Sequence, residues 1–187
     1  MERLGVKPCD ILIPAPGTDL YAYSVVACDQ FTSDAAYWQK VEHIVGEKPS
    51  TLRMTFPEIY LKKDNRKRTE EINQAMSRYL ASNLFREFPD AVFYVERTLS
   101  FGGVRRGIVL AADLEEYEYS PDSHSLIRAT EGTIEDRLPP RVLIRKDAPI
   151  ELPHIMLLID DKKHEIIAPL AEMEKTPVYQ TELMLGG

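Results

Sequence analysis

Residues 128–137, Arg-Ala-Thr-Glu-Gly-Thr-Ile-Glu-Asp-Arg, form the densest set of polar functional groups in the chain. The guanidinium groups of Arg128 and Arg137 present planar, forked donors that grip phosphate or carboxylate oxygens. Thr130 and Thr133 add hydroxyls, Gly132 lets backbone come close to a ligand, and Glu131 has the chemistry of a general base or a metal ligand. The same spacing also fits an ordinary helix start. In that reading Thr130 is the cap, residues 133–135 begin the turn, and Arg137 pairs with a local acid. Spacing alone favours the helix start.

A second candidate is Asp29, followed by Gln30. Both come after an apolar run and before a helical pattern, and ligands in α/β proteins gather at such strand ends. A turn capped by Asp29 explains the residue equally well. The remaining reactive side chains carry less. His43, His124, His154 and His164 are too dispersed for a metal site, and Cys9 and Cys28 match no zinc spacing. Neither G-x-x-x-x-G-K-[ST] nor G-x-G-x-x-G occurs. No metal site is expected from these residues alone.

Several elements must position these groups. Residues 10–14 read as a strand closed by Pro-Ala-Pro-Gly, and the β-branched run 23–28 reads as another. Thr32, Ser33 and Asp34 are N-cap types, followed by Ala36, Trp38, Val41, Ile44 and Val45 at helical spacing, with Gly46 as the stop. Residues 56–61 suggest a short extended segment. Asp64 opens the longest helical pattern, with Ile72, Ala75, Met76, Tyr79, Leu80 and Leu84 on one face, and Pro89-Asp90 reads as the turn after it. Residues 92–99 and 104–112 flank Ser-Phe-Gly-Gly and predict a β-hairpin, with Glu96-Arg97 placed for a cross-strand ion pair. Residues 113–128 read as a loop, 138–140 as a breaker, and 141–145 and 154–160 as strands. An apolar run at 164–170 comes last. The expected fold is a mixed α/β (α+β) domain with a mixed or antiparallel sheet, a β-hairpin and two main helices, occupying residues 1–187 as one unit.

The composition agrees with a globular protein: of 187 residues, 44% are hydrophobic and 28% charged. A net charge of −7 argues against nucleic acid as a partner, because duplex binding rests on neutralising phosphates. The basic group Lys62, Lys63, Arg66, Lys67 and Arg68 reads as a solvated face. Apolar runs such as 155–159 are too short to span a bilayer, and the first residues do not resemble a signal peptide, so a cytoplasmic address and no membrane partner are expected. The sequence closes on Gly186-Gly187 directly after an apolar pattern, which suggests the front part of a longer protein.

A resemblance adds what spacing does not. It rests on Val-Val-Ala-Cys-Asp-Gln-Phe-Thr-Ser at 25–33, Tyr-Trp-Gln-Lys-Val-Glu at 37–42, Pro-Ser-Thr-Leu-Arg at 49–53 and Tyr-Val-Glu-Arg-Thr-Leu at 94–99. Val-Arg-Arg-Gly at 104–107, Leu-Ile-Arg-Ala-Thr-Glu-Gly-Thr at 126–133 and Leu-Pro-His-Ile-Met-Leu-Leu-Ile-Asp at 152–160 complete it. Together these stretches closely resemble the bacterial domain-of-unknown-function family 1015, whose members are about twice this length and are similar in part to ParB-like free serine kinases. The resemblance implies a small-molecule phosphotransferase with free serine as acceptor and pyrophosphate or ATP, with Mg²⁺, as donor. Arg128, Thr133 and Arg137 would hold donor phosphates, and Asp29 or Glu131 would orient the hydroxyl or hold Mg²⁺. The family places an Arg/His-x-Glu-x-Thr segment and then Asp-Arg at 128–137, and this chain supplies Glu131, Thr133, Asp136 and Arg137. An Asp-Gly-His/Asn-His segment of the family has no match here, so the chain alone is expected to be inactive. The alternative is a non-catalytic module that binds phosphate, a metabolite or a partner.

Overall fold

The computed structural model describes residues 5–61, 65–120, 122–130, 132, 135 and 138–186. In chain order the elements are β1 (Val6–Lys7), β2 (Cys9–Pro14), α1 (Leu20–Tyr23), α2 (Ala35–Val45), α3 (Asn65–Ala81), β3 (Phe85–Ala91) and β4 (Phe93–Thr98). They continue with β5 (Val104–Val109), β6 (Ala111–Ala112), β7 (Tyr117–Glu118), β8 (Ile127–Arg128), α4 (Leu138–Lys146) and α5 (Ile167–Glu172). Among the described residues the strands join in twos: β1 with β6, β2 with β3, β4 with β5, and β7 with β8. The first and third of these ladders are antiparallel and the last is parallel, which gives a mixed α/β fold with small sheets.

The chain divides into two compact units. The first comprises Met1–Leu12, Glu87–Thr133 and Leu158–Thr176, and the second Ile13–Arg86, Ile134–Leu157 and Pro177–Gly187.

The second unit holds the apolar core. In α2, Asp34 accepts the Tyr37 N–H at 2.9 Å and Gly46, at φ 49°, ends the helix, so both expected caps are in place. Between them Tyr37, Trp38, Val41 and Val45 are buried and pack with Val26, Leu52 and Met184. A neighbouring cluster joins Tyr23, Met54, Phe56, Ile72, Met76 and Ile144, so α3 packs on α4 through its buried stripe. Burying Trp38 completely is worth several kcal/mol, because truncating such a side chain typically costs about 3–5 kcal/mol. Leu80, expected on the buried face of α3, is exposed.

In the first unit, β4 and β5 form the expected hairpin with Glu96 opposite Arg106. The turn needs its two glycines: Gly102 and Gly103 sit at φ 95° and 89°, where a side chain is strained. The expected cross-strand ion pair forms from Glu96, with Arg106 of the facing strand as its partner at 3.1 Å. The Tyr94 hydroxyl donates to the same carboxylate at 2.7 Å, and the Lys175 ammonium lies 4.9 Å from the Tyr94 ring centre.

Five local expectations are corrected. Residues 20–23 form α1, capped by Asp19, so the run 23–28 begins in a helix and continues without regular structure. Glu58–Tyr60 is a 3₁₀ turn. Pro89 and Asp90 lie inside β3, tolerated because a two-stranded ladder leaves an edge where no N–H is needed. Residues 141–145 belong to α4, with Pro139 and Pro140 in its first turn, where a missing N–H costs nothing. Residues 154–160 form neither helix nor strand.

Candidate functional site

Asp29 sits in a turn of the second unit that is fastened at three points. Gln30 N–H donates to Ala27 O at 3.0 Å and closes the turn. On one side the Glu58 N–H donates to Cys28 O at 2.8 Å. On the other, the Trp38 indole N–H donates to Phe31 O at 3.1 Å, and the Phe31 ring stacks on Tyr37 with centroids 3.9 Å apart. Phe31 holds φ at 50°, a left-handed conformation that costs a side-chain-bearing residue about 1–2 kcal/mol. Ring stacking and the indole bond offset that cost. The turn is therefore rigid, while the Asp29 side chain is exposed and makes no hydrogen bond or ion pair among the described residues.

The turn's neighbours come from distant parts of the sequence. Glu58, in the 3₁₀ turn, has a side chain only 7% exposed, and its carboxylate is ion-paired to the guanidinium of Arg141 in the first turn of α4. The Cys28 thiol reports on the whole cluster. Burial pushes its pKa up, the negative charges of Asp29 and Glu58 push the same way, and only Arg141 among the nearby charges opposes them. Cys28 is thus a thiol at neutral pH and no nucleophile. What the cluster offers is one free carboxylate on a rigid turn, beside a guanidinium partly engaged by a buried acid. A lone carboxylate such as Asp29 could serve a hard cation only as one oxygen ligand among several. Among the described residues no three His, Cys, Asp or Glu side chains come together as a metal site.

Arg128 lies in the first unit on β8, paired in register with Glu118 of β7. Its side chain is exposed and has no hydrogen bond or ion pair among the described residues. Thr130 is also exposed, and nothing lies within 4 Å of the position a side chain on Gly132 would take. Glu131, Thr133 and Arg137 lie outside the described residues. Of the sequence-selected site residues, Asp29 and Arg128 are thus placed, each within its own unit.

Glu58 and Arg141 are the members that sequence reasoning missed. Glu58 is a lone acid in the apolar stretch 56–60, which is the one trace it leaves in the sequence. Arg141 is one of several basic residues scattered through the second half of the sequence, and its pairing depends on residues 141–145 being helical.

A groove of about 390 Å³ in the same unit lies apart from this cluster. Its rim carries Arg53, Arg68 and Arg78 against Glu42, Glu47 and Glu71, so it favours neither sign of charge. Arg53 is engaged by Gly46 O and Lys48 O, Arg68 lies 5.8 Å from the Tyr60 ring centre, and Glu42 accepts the Tyr60 hydroxyl.

Elsewhere, burial holds the Tyr23 phenol protonated well above its usual range, with Tyr179 and Tyr79 adding to the effect. No helix among the described residues is long and apolar enough to cross a membrane.

No curated protein and no solved structure matches the chain. A family model does, over residues 7–187, and its description is "Protein of unknown function (DUF1015)". Because that match covers nearly the whole chain, including the Asp29 turn, the 3₁₀ turn of Glu58 and all of α4, the chain belongs to the DUF1015 family.

Proposed function

We propose that this chain belongs to a small-molecule phosphotransferase whose acceptor is free serine and whose donor is pyrophosphate or ATP with Mg²⁺. The observation that carries the reading is the free carboxylate of Asp29 on its rigid turn, next to the Glu58–Arg141 pair. Phosphoryl transfer asks little covalent chemistry of a protein. It asks for a carboxylate that orients a hydroxyl or a metal, and for cations that balance phosphate charge. In this reading Asp29 supplies the first. Arg128, Glu131, Thr133 and Arg137 are assigned to the phosphates and the hydroxyl by the family pattern alone. Mg²⁺ held through the Asp29 carboxylate would supply positive charge against the donor phosphates.

Calorimetric titration of the chain with magnesium pyrophosphate, MgATP and serine tests this. Binding of one donor is expected at about 1 μM–1 mM, the usual range of substrate affinities. Asp29→Asn should weaken it at least tenfold. Serine phosphorylation by the chain itself is expected to be absent, because no Asp-Gly-His/Asn-His segment occurs in it. Phosphoserine above a heat-inactivated control, followed by ³¹P NMR, would refute that expectation. Unchanged donor affinity in Asp29→Asn would refute the site.

One observation favours a second reading, a non-catalytic module that senses a phosphorylated metabolite. Arg141 is already occupied by Glu58, so an anion would have to displace a buried acid, which suits a switch. Donor-independent binding of phosphoserine would support it.

A further inference from the structure

The groove between the C-terminal end of α2 and one face of α3 lies entirely within the second unit and shares no residue with the Asp29 cluster. Its floor is apolar, since Val45, Leu52, Ile72 and Ala75 are all buried beneath it. Val45 and Leu52 belong to one core cluster and Ile72 to the other, so the floor follows the seam of the two. A volume of about 390 Å³ is at the small end of ligand sites, which span about 300–1,000 Å³, and suits a molecule of amino-acid or dipeptide size.

The charges on the rim divide into committed and uncommitted groups. Arg53 donates to Gly46 O and Lys48 O. Arg68 lies over the Tyr60 ring, and the Tyr60 hydroxyl donates to Glu42. Glu71 faces Lys67, one turn earlier on α3, at 4.0 Å. Glu47 and Arg78 are left, and neither side chain makes a hydrogen bond, ion pair or ring contact among the described residues.

These two are opposite in sign. Glu47 follows Gly46, the C-cap of α2, where the helix dipole is negative, so its carboxylate gains from a cation and no described residue supplies one. The Arg78 guanidinium presents a fork of donors that a carboxylate fits. Both line the groove yet do not pair with each other. An anion alone would leave Glu47 unmet, and a cation alone would leave Arg78 unmet. A ligand that satisfies the groove must carry both charges itself.

We propose that this groove binds a free amino acid with an apolar side chain, its carboxylate on Arg78, its ammonium on Glu47 and its side chain on the apolar floor. The site is separate from the Asp29 turn and does not depend on the chemistry proposed there.

Calorimetric titration of the 187-residue chain with leucine provides the test, with glycine, N-acetylleucine and leucine amide as comparisons. Leucine is expected to bind one to one. Glycine lacks the apolar body, N-acetylleucine the ammonium and leucine amide the carboxylate, so each should bind at least tenfold more weakly. Arg78→Gln should reduce leucine to the affinity of leucine amide, and Glu47→Gln to that of N-acetylleucine. Both side chains are exposed, so circular dichroism of the variants should match that of the parent chain. Neither residue belongs to the Asp29 cluster, so donor binding there and leucine binding here succeed or fail separately. The proposal fails if leucine does not bind at millimolar concentration or if any of the three comparison compounds binds as tightly. It also fails if either variant keeps the parent's affinity for leucine.

Discussion

The guanidinium of Arg141 closes on the carboxylate of Glu58 across 83 residues of sequence, and the main-chain N–H of that same Glu58 holds the carbonyl of Cys28. One acidic residue thereby ties the first turn of α4 to the turn that carries Asp29.

Arg141→Ala is expected to destabilise the chain by about 2 kcal/mol. This lies between the small worth of exposed pairs and the larger cost of stranding a buried charge, because Glu58 is buried and Arg141 is not. Glu58→Gln removes the stranded charge, so the double variant should recover about half of the loss. Urea unfolding of the four proteins checks this, and strictly additive effects would show that the two side chains are not coupled.

Cys28 serves as a reporter of charge in the Asp29 cluster. Its thiol pKa is raised first by burial and then by Asp29 and Glu58, and lowered by Arg141. Asp29→Asn should shift its alkylation profile to lower pH, and Arg141→Ala should shift it to higher pH. The rate of iodoacetamide labelling against pH, resolved at Cys28 by peptide mass spectrometry, measures both shifts. Equal profiles in all three proteins would separate Asp29 and Arg141 from the thiol.

Alkaline stability has a definite sign. Cys28 and Tyr23 keep their protons in the folded chain above the pH at which they lose them when unfolded, about 8.5 and 10. Above those values the folded state binds more protons than the unfolded state, so stability falls as pH rises. The stabilisation is complete below about pH 8 and declines steadily from there to pH 11. Tyr23→Phe should flatten the upper part of the decline, and Cys28→Ser the part between about pH 8 and 10. Urea midpoints measured along the pH series check both.

The two units should differ in hydrogen exchange. Every buried apolar side chain among the described residues lies in the second unit, several of them on α2 and α3. Amides of α2 and α3 are expected to exchange at least tenfold more slowly than those of β4 and β5, as exchange monitored by mass spectrometry would show. Similar protection in the hairpin and the helices would contradict this.

The parts of the fold that the sequence announces are those whose signals are local. The caps of α2 are residue types at its ends, and the hairpin turn is two glycines that only positive φ can use well. The misread parts depend on context. Residues 141–145 carry an apolar, β-branched pattern that suits a strand or a short helix, and the contact of Ile144 with the cluster of Ile72 and Met76 decides for the helix. The run 154–160 has the composition of a buried strand but no partner strand among the described residues to make it one. Asp29 was visible because it stands at the end of an apolar run before a cap. Glu58 and Arg141 were not, since nothing local records that residues 83 positions apart will meet.

A unit built from two-stranded ladders, with no apolar side chain buried among its described residues, has little to hold it in one state. Arg128 is carried by such a unit. Any ligand gripped there would give up part of its interaction energy in damping the local motion of the ladder. Its recognition should therefore show a large unfavourable entropy and a favourable enthalpy, the signature of folding coupled to capture. The Asp29 turn, already clamped on a packed core, would bind with little such penalty. One chain would then hold a stiff grip and a soft one, distinguishable by calorimetry before either ligand is named.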